Sequence, residues 1–556
     1  MLEKRLPSPE TLSLAEQVAQ MIVVRTTGHL FDHEVEYPQW ELTNPELEQL
    51  LELGVGGVIL LGGSAAEVGV RTQQLQSLAK YPLFIAADIE EGVGQRFSGA
   101  TWFAPPMALG DIARRDLPLA LRVSEQMGRA TAQEASAIGL NWVLAPVVDV
   151  NNNPENPVIN VRSFGETAEM VAQLTSAFIK GTQTFSVLTS AKHFPGHGDT
   201  DMDSHLSLPV VTHDFERLQR LELVPFKAAI ASGVDSVMTA HLQLPKIDPD
   251  HPSTFSKVTL SGLLRHDMSF GGLIVTDALV MGGITQQYGP NEAAVLAVEA
   301  GADILLMPGD AAGAIAAVCE AVEAGRISPA TILRSVERIW RAKHKIADLP
   351  VTDSFSQHAW QHQAVPPIQP ESIATPSIRS LAADILQAAQ HVSDAPPKSL
   401  SQAISAPLIP GQNLVLVDDV LHCPFLGRTA PAVTLPMAQG YTLNLVDSRS
   451  ADVSRLETEM TTLVQLFIRS NPFRSGKGLS MIAADYLKAL GSNVQAVVIY
   501  GSPYVWQQLK DLIPAGTPCV FTYGQMREAQ AIALQPLLNP ADSPELVGAI
   551  DSTFTD

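Results

Sequence analysis

The sequence predicts an α/β fold in two parts: a (β/α)8 barrel of the TIM type, followed by a smaller α/β sandwich domain. Three observations lead there. Eight short aliphatic runs alternate with helix-period stretches in the first ~345 residues, the size of such a barrel with insertions. Chemistry-bearing polar residues follow most of those runs. Beyond a proline-bearing stretch, five more apolar runs recur. The expected boundaries are a barrel domain over 1–346, a linker over 347–397 and a second α/β domain over 398–556. At 556 residues the chain is longer than one hydrophobic core usually serves.

Taken in order, the barrel strand candidates are Met21–Val24, Gly57–Leu61, Leu83–Ala87, Trp142–Ala145, Val187–Ser190, Ser236–Thr239, Leu273–Thr276 and Asp303–Met307. Each is short and apolar on both faces, the pattern of a parallel strand covered on both sides. Asp88 follows the third run and Asp149 the fourth; Lys192 and His193 follow the fifth, His241 the sixth, Asp277 the seventh and Asp310 the eighth. In a barrel these positions share one rim, where the loops line the active site. The barrel is expected to end with a helix from Pro329 to Ile346. The stretch that follows contains Pro366-Pro367 and Pro396-Pro397 and reads as a linker with one helix, Pro376 to His391.

The second domain carries runs at Leu414–Val417, Leu443–Val446, Leu463–Phe467, Ala496–Tyr500 and Cys519–Tyr523, which predict a doubly wound sheet. Gly501-Ser502-Pro503 follows one run as a turn that could meet a ligand, though chain reversal is the commoner use of such a turn.

Bulk properties narrow the function classes. Hydrophobic residues make up 46% and charged residues 17%, too apolar a mixture for a disordered chain. A net charge of −22 argues against nucleic acid and anionic membrane surfaces as partners. Cys319, Cys423 and Cys519 are too scattered for a disulfide framework or zinc cluster, and free thiols in a reducing compartment are expected. Met1–Pro7 lacks the apolar core of a secretory signal, and no run is long enough to span a bilayer, so a cytoplasmic setting is expected.

The densest chemistry lies in Lys192-His193-Phe194-Pro195-Gly196-His197-Gly198, followed after a four-residue gap by Asp203-Ser204-His205. A carboxylate two residues from an imidazole can hydrogen-bond the ring and tune it as a proton donor and acceptor. His193, His197 and His205 do not have the spacing of a zinc helix or a closed Cys/His site, so no metal is expected. No phosphate-binding glycine loop occurs, and no cofactor is expected.

This long motif resembles the signature of bacterial β-N-acetylglucosaminidases of glycoside hydrolase family 3. Asp88-Ile89-Glu90-Glu91-Gly92 with Gln95-Arg96-Phe97, Asn141–Val150, Pro157–Gly165 and Val275-Thr276-Asp277-Ala278-Leu279 match other family segments in order. Gly501–Tyr504 and Phe521–Gly524 look like two-domain members. The resemblance implies a retaining exo-β-N-acetylglucosaminidase acting on muropeptide or chitin fragments, with muropeptide recycling as its setting. It implies Asp277 as nucleophile, His205 as acid/base and Asp203 as the carboxylate orienting that ring; Asp88, Arg162, Lys192 and His193 would hold the sugar. A histidine as acid/base departs from the two-carboxylate rule of most glycosidases.

His197 is read here as loop support, Asp149 as a loop brace, and His241 as either a reaction-centre group or a core histidine. One departure concerns the third-strand motif, where many members have arginine at the position of Val93 and glycine at that of Glu91. A β-glucosidase, a phosphorylase of the same family and a catalytically silent sugar-binding protein are the alternatives. The first generally lacks the Asp-x-His loop, and the last has no use for a nucleophile.

Overall fold

The aliphatic runs of the first part fold as eight strands: β1 (Ile22–Thr27), β2 (Gly57–Leu61), β3 (Phe84–Ala87), β4 (Trp142–Val143), β5 (Leu188–Phe194), β6 (Ser236–Thr239), β7 (Leu273–Val275) and β8 (Leu305–Leu306). They are seen in a computed structural model that describes residues 6–35, 37, 39–200, 202, 207–347, 368–393, 411–470 and 476–538. The strand order is β7-β6-β5-β4-β3-β2-β1-β8, and every pairing is parallel. A parallel bridge between Val275 and Ile304 joins the two ends of that order and closes the cylinder. Around this seam Asp303 N–H and Ile304 N–H both donate to Ile274 O, at 2.7 and 3.1 Å, and Thr276 N–H donates to Ile304 O at 3.0 Å.

Side chains from the helix layer lock the seam. The Asp303 carboxylate is fully buried and accepts from Arg265 Nη2 (2.5 Å), Arg338 Nη1 (2.9 Å), Ser335 Oγ (2.8 Å) and Ile274 N–H (2.9 Å). Four donors from several elements are what a buried carboxylate requires in order to stay charged. Among the described residues Lys343 has no such carboxylate: its buried ammonium donates to Gln20 Oε1 at 2.6 Å and lies 5.1 Å from the Phe84 ring centroid and 5.5 Å from that of Trp340. Burial pushes its pKa down from 10.5 to about 7.

Two helices of the outer layer, Leu117–Ala137 and Ala168–Thr182, cross through glycine. A Cβ on Gly128 would lie 2.2 Å from Phe178 O, and one on Gly181 would lie 1.9 Å from Glu125 O. Neither helix has room for a side chain at that crossing, so the backbones themselves touch.

The strand ends differ from the sequence expectation in places. The run expected from Val187 becomes strand at Leu188. That strand then continues to Phe194, so Lys192 and His193 sit within β5 and not beyond it. The Lys192–His193 and Phe194–Pro195 peptide bonds are cis.

The chain divides into two compact units. The first comprises Met1–Trp102, Leu117–Asn156 and Ser163–Ile378; the second comprises Phe103–Asp116, Pro157–Arg162 and Arg379–Asp556. In the second unit a six-stranded sheet forms from β9 (His391–Val392), β10 (Gln412–Val417), β11 (Thr442–Asp447), β12 (Thr462–Ile468), β13 (Val494–Gly501) and β14 (Cys519–Thr522), in the order β11-β10-β12-β13-β14-β9. The expected helix to His391 stops at Ala388, since His391 and Val392 pair antiparallel with Phe521 and Val520. Sheet pairing overrides local helix propensity there, and the doubly wound expectation becomes a parallel sheet with one antiparallel edge. Phe467 stacks on Tyr500 at 4.2 Å in the core. Parts of the expected linker, 348–367 and 394–397, lie outside the described residues.

Candidate functional site

The β3 run ends at Ala87, and the polar residues that follow turn toward β5. Lys192 Nζ is held by Asp88 Oδ1 at 2.7 Å and by Glu90 Oε1 at 2.6 Å. Lysine and Glu90 are buried, whereas the Asp88 side chain keeps 36% of its surface exposed. The trio therefore presents one accessible carboxylate backed by a fixed ammonium, a combination suited to a sugar hydroxyl because it both accepts and donates charge-assisted hydrogen bonds. Arg96 Nε donates to Asp88 O at 2.9 Å and steadies that turn.

Asp149, past β4, ties the β5 motif together. Its Oδ2 accepts from His193 N–H (3.1 Å) and pairs with His193 Nδ1 (2.8 Å), while Oδ1 accepts from His197 N–H (2.7 Å). Complete burial would raise this carboxyl's pKa, yet the His193 and His197 contacts bring it below the ordinary value. With its Nδ1–H on Asp149, the His193 ring has a fixed orientation. His197 is buried, and its Nδ1 lies 3.0 Å from Thr200 Oγ1. Burial lowers its pKa to about 4, against the pull of Asp149, so its ring is neutral at neutral pH. Asn156 Nδ2 completes the loop by donating to the carbonyls of His197 and Gly198, both at 2.9 Å.

Asp277 follows β7. Its N–H donates to Thr239 Oγ1 at 3.3 Å, and its Oδ1 accepts from Ala278 N–H at 2.8 Å. His241 supports the same turn: its Nε2 bonds Ala278 O at 3.1 Å and its Nδ1 bonds Thr254 Oγ1 at 2.8 Å. His241 is thus a fully buried scaffold under the Asp277 turn, with both ring nitrogens engaged. The Asp277 charge reaches His197 and favours that ring's protonated form, which links the β7 and β5 loops electrostatically.

Asp88, Lys192, His193 and Asp277 all belong to the barrel unit. Arg162 belongs to the second compact unit, in the single turn Asn160–Arg162, where its Nη1 donates to Val158 O at 3.0 Å. Asp203 and His205 lie outside the described residues. Glu90 was not among the expected binding residues. The signal for it was its place two residues after Asp88, in the turn that follows β3.

The two departures in the third-strand motif are both internal. Val93 is fully buried, and the buried Glu91 carboxylate accepts from Trp102 Nε1 at 2.9 Å. Among the described residues one further group has metal-like geometry, His29, Glu34 and Glu67, with ligand atoms within 4.8 Å of one another. The 3.1 Å bond from His29 Nδ1 to Glu67 accounts for that arrangement as a partly exposed ion pair. Cys319, Cys423 and Cys519 are free thiols.

The Glycosyl hydrolase family 3 N terminal domain matches residues 13–342. The chain belongs to glycosyl hydrolase family 3. The Bacterial Glycosyl hydrolase family 3 C-terminal domain matches 408–539, so the chain has the two-domain family 3 form. It is 35% identical over 378 residues to beta-hexosaminidase A of Pseudoalteromonas piscicida, a match taking in 62% of this chain and 60% of that protein's length. It is 37% identical over 273 residues to a beta-hexosaminidase of Neisseria meningitidis serogroup C, covering 48% of this chain and 75% of the relative. Among solved structures, a family 3 beta-N-acetylglucosaminidase from Paenibacillus sp. str. FPU-7 superposes with a TM-score of 0.75 at 30% identity, covering 95% of this chain and 97% of that one. A beta-glucoside phosphorylase shares the fold with a TM-score of 0.77 at 22% identity, over 96% of this chain and 93% of that one.

Proposed function

We propose that this protein is a retaining exo-β-N-acetylglucosaminidase that removes terminal N-acetylglucosamine from muropeptide or chitin fragments. The protein is a glycoside hydrolase of the β-N-acetylhexosaminidase kind. The observation that carries the reading is Asp277 just past β7, its backbone N–H bonded to Thr239 Oγ1 and its carboxylate to Ala278 N–H, in the same barrel unit as the Asp88–Lys192–Glu90 cluster.

Asp277 attacks the anomeric carbon and forms a glycosyl-enzyme ester as the leaving oxygen departs. His205 protonates that oxygen, then takes a proton from the incoming water, and Asp203 orients its ring. An imidazole titrates near ~6.5, so one group serves both steps at neutral pH. Asp88, Lys192, His193 and Arg162 hold the hydroxyls and so fix the anomeric carbon against the nucleophile. The fixed bonds within this set favour catalysis, because few groups need to reorganise as charge develops. Hydrolysis of muropeptide fragments inside the cell is the setting that fits this chemistry. Among the described residues no helix is long and apolar enough to cross a membrane.

Nitrophenol release from the β-N-acetylglucosaminide and the β-glucoside, with and without phosphate, tests the reading beside Asp277→Ala and His205→Ala. Preference for the N-acetyl sugar, with Asp277→Ala reduced at least about 1,000-fold, is the expected result. Sugar phosphate as product would make the protein a phosphorylase. Full turnover in Asp277→Ala would overturn the assignment.

A further inference from the structure

Arg162, proposed above as a sugar ligand, stands on a turn held by the second domain. The turn begins at Asn160, whose φ of +43° lies in the left-handed region that a residue with a Cβ adopts at some cost. Asparagine meets that cost better than most residues when its side chain is hydrogen-bonded. Here Asn160 Oδ1 accepts from Ser502 Oγ at 3.0 Å, across 342 residues of sequence. Both residues are only 3% exposed, so water does not substitute readily for the bond.

Ser502 is itself fixed. Its N–H donates to Ile468 O at 3.0 Å, at the end of β12. The preceding Gly501 has a φ of +124°, and a Cβ there would fall 2.5 Å from the same carbonyl. Gly501-Ser502-Pro503 therefore does more than reverse the chain: it presents a hydroxyl at a defined point. At the far end of the turn, Arg162 N–H donates to Ile159 O (2.9 Å) and its guanidinium to Val158 O (3.0 Å). The Nη1–Val158 O bond couples the guanidinium to the shape of the turn.

We propose that Ser502 is a positioning residue for Arg162: the Ser502–Asn160 hydrogen bond, within the second compact unit, orients a sugar-contacting guanidinium. This rests on the reading of Arg162 as a sugar ligand. Asn160, Arg162 and Ser502 belong to one compact unit, so the bond acts within that unit.

The test measures kcat and KM on the nitrophenyl β-N-acetylglucosaminide, with thermal midpoints, for Ser502→Ala, Ser502→Thr, Arg162→Ala and the Ser502→Ala/Arg162→Ala pair. Ser502→Ala is expected to raise KM about five-fold with kcat changed less than about two-fold. Ser502→Thr, which keeps the hydroxyl, restores KM, and the double variant matches Arg162→Ala because the serine acts only through the arginine. Asn160→Gly, which keeps the left-handed backbone and deletes the acceptor, raises KM alike and serves where Ser502→Ala fails to fold. An unchanged KM in both Ser502→Ala and Asn160→Gly overturns the proposal, as does a Ser502→Ala effect that adds in full to that of Arg162→Ala. If Arg162→Ala leaves KM unchanged, it is the sugar-ligand reading that fails, and the positioning role falls with it.

Discussion

Glu90 and His197 show how single residues set the behaviour of the site. Lys192 is buried between two carboxylates, of which only Asp88 is accessible. Glu90→Gln weakens the inner contact and lets the ammonium shift, so KM for the N-acetylglucosaminide is expected to rise about ten-fold, read from initial rates. His197 works through its protonation state. Its folded pKa of about 4 lies below the ordinary 6.5, so the folded chain resists a proton that the unfolded chain accepts. The associated stability is fully present above 6.5 and is lost as pH falls through about 4. Thermal midpoints across that interval should decline with falling pH, and His197→Gln should flatten the decline. The motif around these residues was legible in the sequence, because it is long and its members are chemically distinctive. The role of His241 was not: a histidine after a strand looks alike whether it meets substrate or the Ala278 carbonyl, and only the fold brings Thr254 and Ala278 to its two nitrogens.

At the scale of elements, the strands were legible because aliphatic runs of four or five residues have few alternatives in a chain that alternates them with helices. β2 and β6 have the expected bounds, Gly57–Leu61 and Ser236–Thr239. What local pattern could not supply is pairing with distant partners. β9 is two residues long and exists because β14 lies beside it. The glycine crossing of Leu117–Ala137 with Ala168–Thr182 is another long-range fact, since Gly128 and Gly181 read in isolation only as weak points in helices. Their backbone contacts reverse that reading. Gly181→Ala would raise helix propensity yet force Glu125 O away from 1.9 Å, and a net loss of about 1–3 kcal/mol is expected in urea unfolding. A gain in stability would show that the crossing relaxes freely.

For the molecule as a whole, stability is tied to pH by a lysine far from the β3, β5 and β7 loops in sequence. The Lys343 pKa is pushed down to about 7 from an unfolded value of 10.5. The unfolded chain therefore holds a proton that the folded chain has released throughout that window. The lysine's destabilising effect is complete below about 7 and fades as pH rises toward 10.5. Lys343→Met should be more stable than the parent near pH 6 and approach it near pH 10, as measured by urea midpoints. A constant difference would mean that the ammonium stays charged throughout. The β7–β8 seam has a consequence of another kind. A cylinder has no free edge, and this one is joined where β8 is two residues long and a single bridge links Val275 to Ile304. Splitting the wall there exposes two strand borders at once, each a template for a stranger's backbone. The Asp303 cluster, with two guanidiniums from the outer layer on one carboxylate, thus acts as a rivet whose failure would show first as self-association of the opened chain, before any loss of helix.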